Sequence, residues 1–238
     1  MKKYLLYVIS ILLLAGTTSS SLAAPIGNSA YGRDYLVAGH NLHGFNFGTY
    51  ITLGSRRVSI NNTEGTLDSE LISAYLGYDI MPWATIYGLG GSGHLDHENV
   101  TTDESMSQYG FGISVNILDH MILDPTLFED RIKISAQFQY TALNTDLVPN
   151  TKLLSETYGC MTIAIVNDSD EGKLYCPNGI SVYGGPAIST LNSGNISAKK
   201  RTGVCFGMEV FLTELTALNL RMDMFGKTSV SAGLNIRF

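Results

Sequence analysis

Residues 131–143 alternate strictly, and the alternation sorts charge. One face reads Ile132, Ile134, Ala136, Phe138, Tyr140 and Ala142. The other reads Arg131, Lys133, Ser135, Gln137, Gln139 and Thr141. Successive strand side chains point to opposite faces, so this is a strand with one greasy and one polar face; a helical period would scramble the two sets. The pattern returns through residues 45–53, 72–80, 109–117, 203–212, 218–224 and 230–238. Three weaker segments, 83–91, 155–166 and 179–191, are blurred by Gly88, Gly90, Gly184, Gly185 and Pro186.

The polar face is the informative one. It carries mostly Gly, Ser, Asn, Thr and Gln, where a water-soluble barrel would place Lys, Glu and Asp on its outer coat. Charged residues make up 15% of the chain, against about 25% in an ordinary soluble domain. The chain also holds 25 Gly, 13 Tyr and 9 Phe. Small polar residues suit the inside of a narrow barrel, and large apolar ones suit lipid contact. In hydrocarbon every backbone donor and acceptor needs a partner, which a closed barrel supplies with no open edge. The expected fold is therefore all-β: a single closed antiparallel transmembrane β-barrel of ten strands, or eight if two weak segments are loops.

Residues 1–23 read as a secretory signal peptide. Lys2 and Lys3 precede an apolar run, and Ser21-Leu22-Ala23 offers a small-x-small cleavage site after Ala23. Residues 24–44 form a lead segment holding His40 and His43, and 45–238 form the barrel domain. Polar stretches at 56–68, 92–105, 144–154 and 192–202 read as surface loops, and Met81-Pro82 and 213–216 as tight turns. Residues 118–130 and 167–178 are long for turns on the side of the chain ends.

The ions on the polar face, Asp79, Arg131, Lys133, Glu209, Arg221, Asp223 and Arg237, are expected to form an interior network of paired charges. Left unpaired, each would cost several kcal/mol to bury. His94-Leu95-Asp96-His97-Glu98 is the most reactive-looking stretch, but its spacing reads as a solvated acidic loop, so no metal and no cofactor are expected. Cys160, Cys176 and Cys205 fit no metal motif. No catalytic set is legible: Ser229 and Ser231 have no His near them in sequence, and the chain is not expected to be an enzyme. A net charge of −6 argues against nucleic acid as a partner. Lys199-Lys200-Arg201 is the one basic run.

The chain ends in an alternating strand, with Val230, Leu234, Ile236 and a terminal Phe238 on its apolar face. This pattern resembles the small outer-membrane barrels of the opacity and OmpA type, over roughly residues 45–238. The resemblance implies Gram-negative export, insertion by the barrel-assembly machinery through that terminal signal, and outer-membrane lipid as the surrounding partner. On this fold, function varies with loops and lumen. The reading is a structural or surface-exposed protein, with an extracellular ligand held by its loops. The alternatives are a narrow channel through the charged lumen and, last, an outer-membrane hydrolase.

Overall fold

A computed structural model describes residues 44–60, 63–81, 83–97, 100–122, 130–148, 151–168, 179–193, 196–213 and 215–238. The signal-peptide expectation, most of the lead segment and Cys176 lie outside them. Ten strands build the wall: Phe45–Ile60 (β1), Thr63–Met81 (β2), Ala84–His97 (β3), Val100–Ile122 (β4), Asp130–Val148 (β5), Thr151–Asp168 (β6), Gly179–Ser193 (β7), Thr202–Phe211 (β9), Thr216–Met224 (β10) and Thr228–Arg237 (β11). A three-residue strand, Ile196–Ala198 (β8), completes the set.

Each of the ten pairs antiparallel with its chain neighbours. The sheet closes where β1 meets β11, from Asn46↔Arg237 to Gly54↔Ser229. Phe238 N donates to Phe45 O across the same seam, at 2.9 Å. No edge remains to aggregate or to expose backbone to lipid.

The alternation lands as the charge sorting requires. Arg131, Lys133, Ser135, Gln137, Gln139 and Thr141 are buried inside, while Phe138 stands outward and 49% exposed. Outward apolar side chains form a continuous belt: Ile72, Leu76 and Ile80 on β2, Phe111 on β4, Ile163 and Ile165 on β6, Val182 and Ile188 on β7, Val204 and Phe206 on β9. Near the mouth where β1 begins and β11 ends, Phe45, Tyr78, Trp83 and Phe238 gather as an aromatic rim of the kind found where such a belt meets headgroups.

Three inward tyrosines each face a glycine on the next strand: Tyr75↔Gly48, Tyr87↔Gly112 and Tyr183↔Gly207. The ring lies flat over the glycine. A Cβ at Gly48 would meet Tyr75 at 2.2 Å, and one at Gly207 would meet Tyr183 at 2.1 Å. The inner glycines are thus sockets that let large rings turn along the wall instead of colliding across a narrow lumen.

The expected loops at 56–68, 92–105 and 144–154 are corrected. β1 runs to Ile60 and β2 restarts at Thr63; β3 runs to His97 and β4 restarts at Val100; β5 runs to Val148 and β6 restarts at Thr151. These stretches are strand in which the faces exchange chemistry. Above the belt Asp68, Glu70, His94 and Asp96 point outward and exposed. Leu67, Leu71, Leu95, Met106, Leu143, Leu154 and Leu191 point inward and join Val58, Ile196 and Ala198 in one core. The barrel is greasy outside where it spans lipid and greasy inside where it rises beyond. The segment 63–70 of β2 alone adds roughly 25 Å of strand, at ~3.3 Å per residue along its tilted axis.

The wall is uneven. β9, β10 and β11 stop near the top of the belt, and β8 closes the gap above them by pairing with β1 (Val58↔Ala198) and β7 (Ser193↔Ile196).

Candidate functional site

The lumen is filled in layers. At the mouth where β1 begins and β11 ends, Arg237 Nη1 lies 2.8 Å from Asp79 Oδ2, and Asp79 Oδ1 accepts from Asn46 Nδ2 at 3.3 Å and from the Thr85 hydroxyl. Arg131 grips Asp119 with two parallel bonds, Nε to Oδ1 at 3.1 Å and Nη2 to Oδ2 at 2.7 Å, the fork geometry that suits a carboxylate. Lys133 Nζ stands 3.9 Å from the same Asp119. A bulge in β4 between Asn116 and Leu118 makes this possible. It leaves Ile117 and Leu118 both outward and returns Asp119 to the inner face opposite Lys133.

The middle layer is built from tyrosines and amides. Tyr75 Oη donates to Asn235 Oδ1 at 2.8 Å, Tyr183 Oη to Asn219 Oδ1 at 3.0 Å, and Gln137 Nε2 to Tyr87 Oη at 2.9 Å. Asn219 Nδ2 in turn donates to Glu209 Oε1 at 3.1 Å. Arg221 crosses this layer. Its Nε is 3.0 Å from Asp223 Oδ2, its Nη1 donates to Gln137 Oε1 at 2.8 Å, and its Nη2 donates to Tyr158 Oη. Its guanidinium carbon sits 4.8 Å from the centre of the Tyr158 ring. Cys160 and Cys205 are free thiols on the inner face of this layer, with Cys160 Sγ 3.7 Å from Arg221 Nη2.

The top polar layer is a knot. Arg56 Nη1 donates to Glu156 Oε1 and to Ser189 Oγ, both at 2.7 Å, and its Nη2 donates to the Ser189 carbonyl at 3.0 Å. The Ser189 hydroxyl donates to the same Glu156 oxygen. Arg56 and Glu156 are each only 1% exposed. Phe225, from the β10–β11 hairpin, turns inward under the guanidinium, its ring centre 5.2 Å from Arg56 Cζ. The apolar core begins directly above.

All seven ions singled out from the sequence occupy the inner face. Asp79 holds Arg237, Arg221 holds Asp223, Glu209 lies with Asn219, and Arg131 and Lys133 share Asp119. Sequence reasoning missed Asp119, Arg56, Glu156 and Ser189. Asp119 is hidden by the bulge, because it is one residue out of phase with Asn116. Arg56 lay in a presumed loop, although Asn46, Tyr50, Thr52 and Arg56 keep one period along β1. His94 and Asp96, expected in a loop, stand on the outer face of β3 opposite Glu70 and Asp68. Among the described residues, no group of three or more His, Cys, Asp or Glu is placed to hold a metal ion.

Chemically, the arrangement fixes charge. Every buried ion has at least one opposite charge or strong hydrogen-bonding partner, which is the condition for keeping it ionised inside.

No family model and no curated relative matches this chain. Among solved structures it is similar to an outer membrane channel from Pseudomonas putida F1, at 9% identity, 91% of this chain and 100% of that chain covered, and a TM-score of 0.45. It is similar also to the translocator domain of the autotransporter NalP from Neisseria meningitidis, at 10% identity, 84% and 90% covered, and a TM-score of 0.34. A third is the transport unit of the autotransporter AIDA-I from Escherichia coli, at 9% identity, 89% and 94% covered, and a TM-score of 0.32. These neighbours are outer-membrane β-barrels.

Proposed function

We propose that this protein is a closed outer-membrane β-barrel whose work is done at the cell surface, by the raised wall above the lipid belt. One observation carries the reading: the buried Arg56–Glu156–Ser189 knot lies across the lumen beneath a ten-residue apolar core. A solute crossing would have to break a dry ion pair and then pass through packed Leu, Val and Met.

In this reading the mouth where β1 begins and β11 ends faces the periplasm, and the far end is extracellular. Val230, Leu234, Ile236 and Phe238, on the closing strand, are the signal read by the assembly machinery. A filled interior fits a narrow barrel: eight strands already fill by side chains alone, and ten need the tyrosine layer as well. The connections at the far end are short, two residues between β1 and β2 and between β3 and β4. The binding face for an extracellular ligand is therefore the strand wall, with Asp68, Glu70, His94 and Asp96 exposed on it, rather than long loops.

Planar-bilayer recording tests this. The purified barrel is expected to give no steady single-channel step. A reproducible, ion-selective conductance in the wild-type protein would instead establish the narrow channel through Arg131, Lys133, Glu209, Arg221 and Asp223.

A further inference from the structure

Outward-facing cations are concentrated in one place. Among the described side chains, Arg56, Arg131, Lys133, Arg221 and Arg237 are inside the barrel; Arg57, Lys199, Lys200, Arg201 and Lys227 all gather at the low rim where β9, β10 and β11 stop. Lys199 is neutralised by Glu64. Lys227 Nζ donates only to a neutral group, Thr66 Oγ1, at 3.1 Å. The Lys200 side chain lies over Gly226, whose φ of 104° turns the β10–β11 hairpin tightly enough to leave room for it. Among the described residues, Lys200, Arg201 and Lys227 have no carboxylate within ion-pair distance. Asp68 and Glu70 lie on the outer face of the neighbouring β2 and are not engaged with them.

These charges overhang a depression of about 470 Å³ in the outer wall. Lys200 and Lys227 stand at its top, Thr202 and Thr228 at its sides, and Val204 and Met224 at its base. Directly below, Phe206 continues the lipid belt, 46% exposed. Cation above hydroxyl above hydrocarbon is the order in which a phosphorylated lipid presents its complement. The belt on β9 begins at Val204, so the lysines stand at headgroup height. An ammonium near an anionic membrane surface contributes about fivefold in affinity per Lys or Arg.

We propose that this notch binds the phosphate of a phosphorylated lipid of the outer leaflet, with an acyl chain laid against Val204, Met224 and Phe206. The proposal rests on the placement of the far end at the extracellular side. It is independent of whether the lumen conducts.

The test uses the folded barrel in neutral detergent, with native mass spectrometry reading retained lipid. The probes are diphosphorylated lipid A, the same lipid stripped of phosphate, and inorganic phosphate as competitor. The wild-type barrel is expected to prefer the phosphorylated lipid, K200Q and K227Q each to weaken it about fivefold, and the K200R/K227R pair to retain it. The Arg pair and a salt titration of the wild type keep the test decisive where a Gln variant fails to fold, since phosphate binding must weaken with salt. Equal retention of the dephosphorylated lipid would overturn the proposal. So would full displacement by millimolar inorganic phosphate, which would make the notch a free-anion site, or unchanged binding in the double Gln variant. Failure of the barrel to insert into vesicles would instead sink the membrane reading itself.

Discussion

Arg56→Met is the sharpest perturbation of the lumen. The methionine fills most of the arginine's stem volume but removes the guanidinium. Glu156, 1% exposed, then loses this ion pair while the Ser189 hydroxyl still donates to Oε1. Breaking a buried ion pair from one side costs ~3–5 kcal/mol, because the remaining ion has lost its solvent and its partner together. The lost bond from Nη2 to the Ser189 carbonyl and the contact with the Phe225 ring act in the same direction. Glu156→Gln should cost less, about 1–3 kcal/mol, since both bonds from Arg56 to Ser189 survive and hold the cation. The double variant R56M/E156L removes both charges and both desolvation costs, and should recover to within about 1–2 kcal/mol of the wild type. Reversible urea unfolding of the barrel in lipid vesicles, followed by Trp83 fluorescence and by heat-modifiable gel mobility, measures all three. If R56M costs less than about 1 kcal/mol, or the double variant costs the sum of the singles, the knot is not the closed ion pair described here.

The outer face has its own test: Phe138→Arg places a cation in the middle of the belt and should destabilise the folded barrel by ~2–4 kcal/mol in the same vesicle titration, whereas a cost near zero would deny that β5 faces lipid there. The glycine sockets predict a paired effect. Gly48→Ala should block folding by driving a Cβ into the Tyr75 ring, and adding Tyr75→Ala should restore a heat-modifiable barrel, since the atoms nearest that Cβ all belong to side chains; failure of the second change to help would locate the damage elsewhere. Cys160 and Cys205, on the inner face beneath the apolar core, should resist a bulky maleimide in the folded protein and react in urea, as read by mass shift. Rapid labelling of the folded state would mean that the lumen is open to solutes of that size.

The lipid-spanning half of this fold is legible because a single rule governs it: greasy out, polar in, period two. Arg131 and Lys133 beside Ile132 and Ile134 suffice to orient β5. The raised half follows the same period with its sign reversed, and a reading tuned to the first rule meets Asp68 and Glu70 on the outward phase and reports a loop. Leu67, Leu71 and Leu95 on the inward phase were the available signal. Asp119 was hidden for a different reason. A bulge shifts phase by one residue, and nothing local in Asn116-Ile117-Leu118 marks where the extra residue falls. The pairing of distant residues such as Arg56 with Glu156 is a property of closure, since the strands that carry them, β1 and β6, lie on well-separated parts of the sheet.

That sign reversal also accounts for the odd geometry of the far rim. An apolar core needs walls on every side, yet β9, β10 and β11 end where the belt ends. Without a further wall, Val58, Leu191 and the Phe225 ring would open sideways at headgroup height. β8 supplies that wall with three residues. Ile196 and Ala198 turn inward to join the core, while Ser197 faces out and the chain pairs with β1 and β7. The return from β8 to β9 must then cross the low rim on its outer side, and that crossing is Lys199-Lys200-Arg201. The basic run is thus held at the low rim by the same need that closes the core. Deleting residues 196–198 should both expose the cap to solvent and release the lysines from the notch. A variant that lost one of these and kept the other would separate two features that the fold binds together.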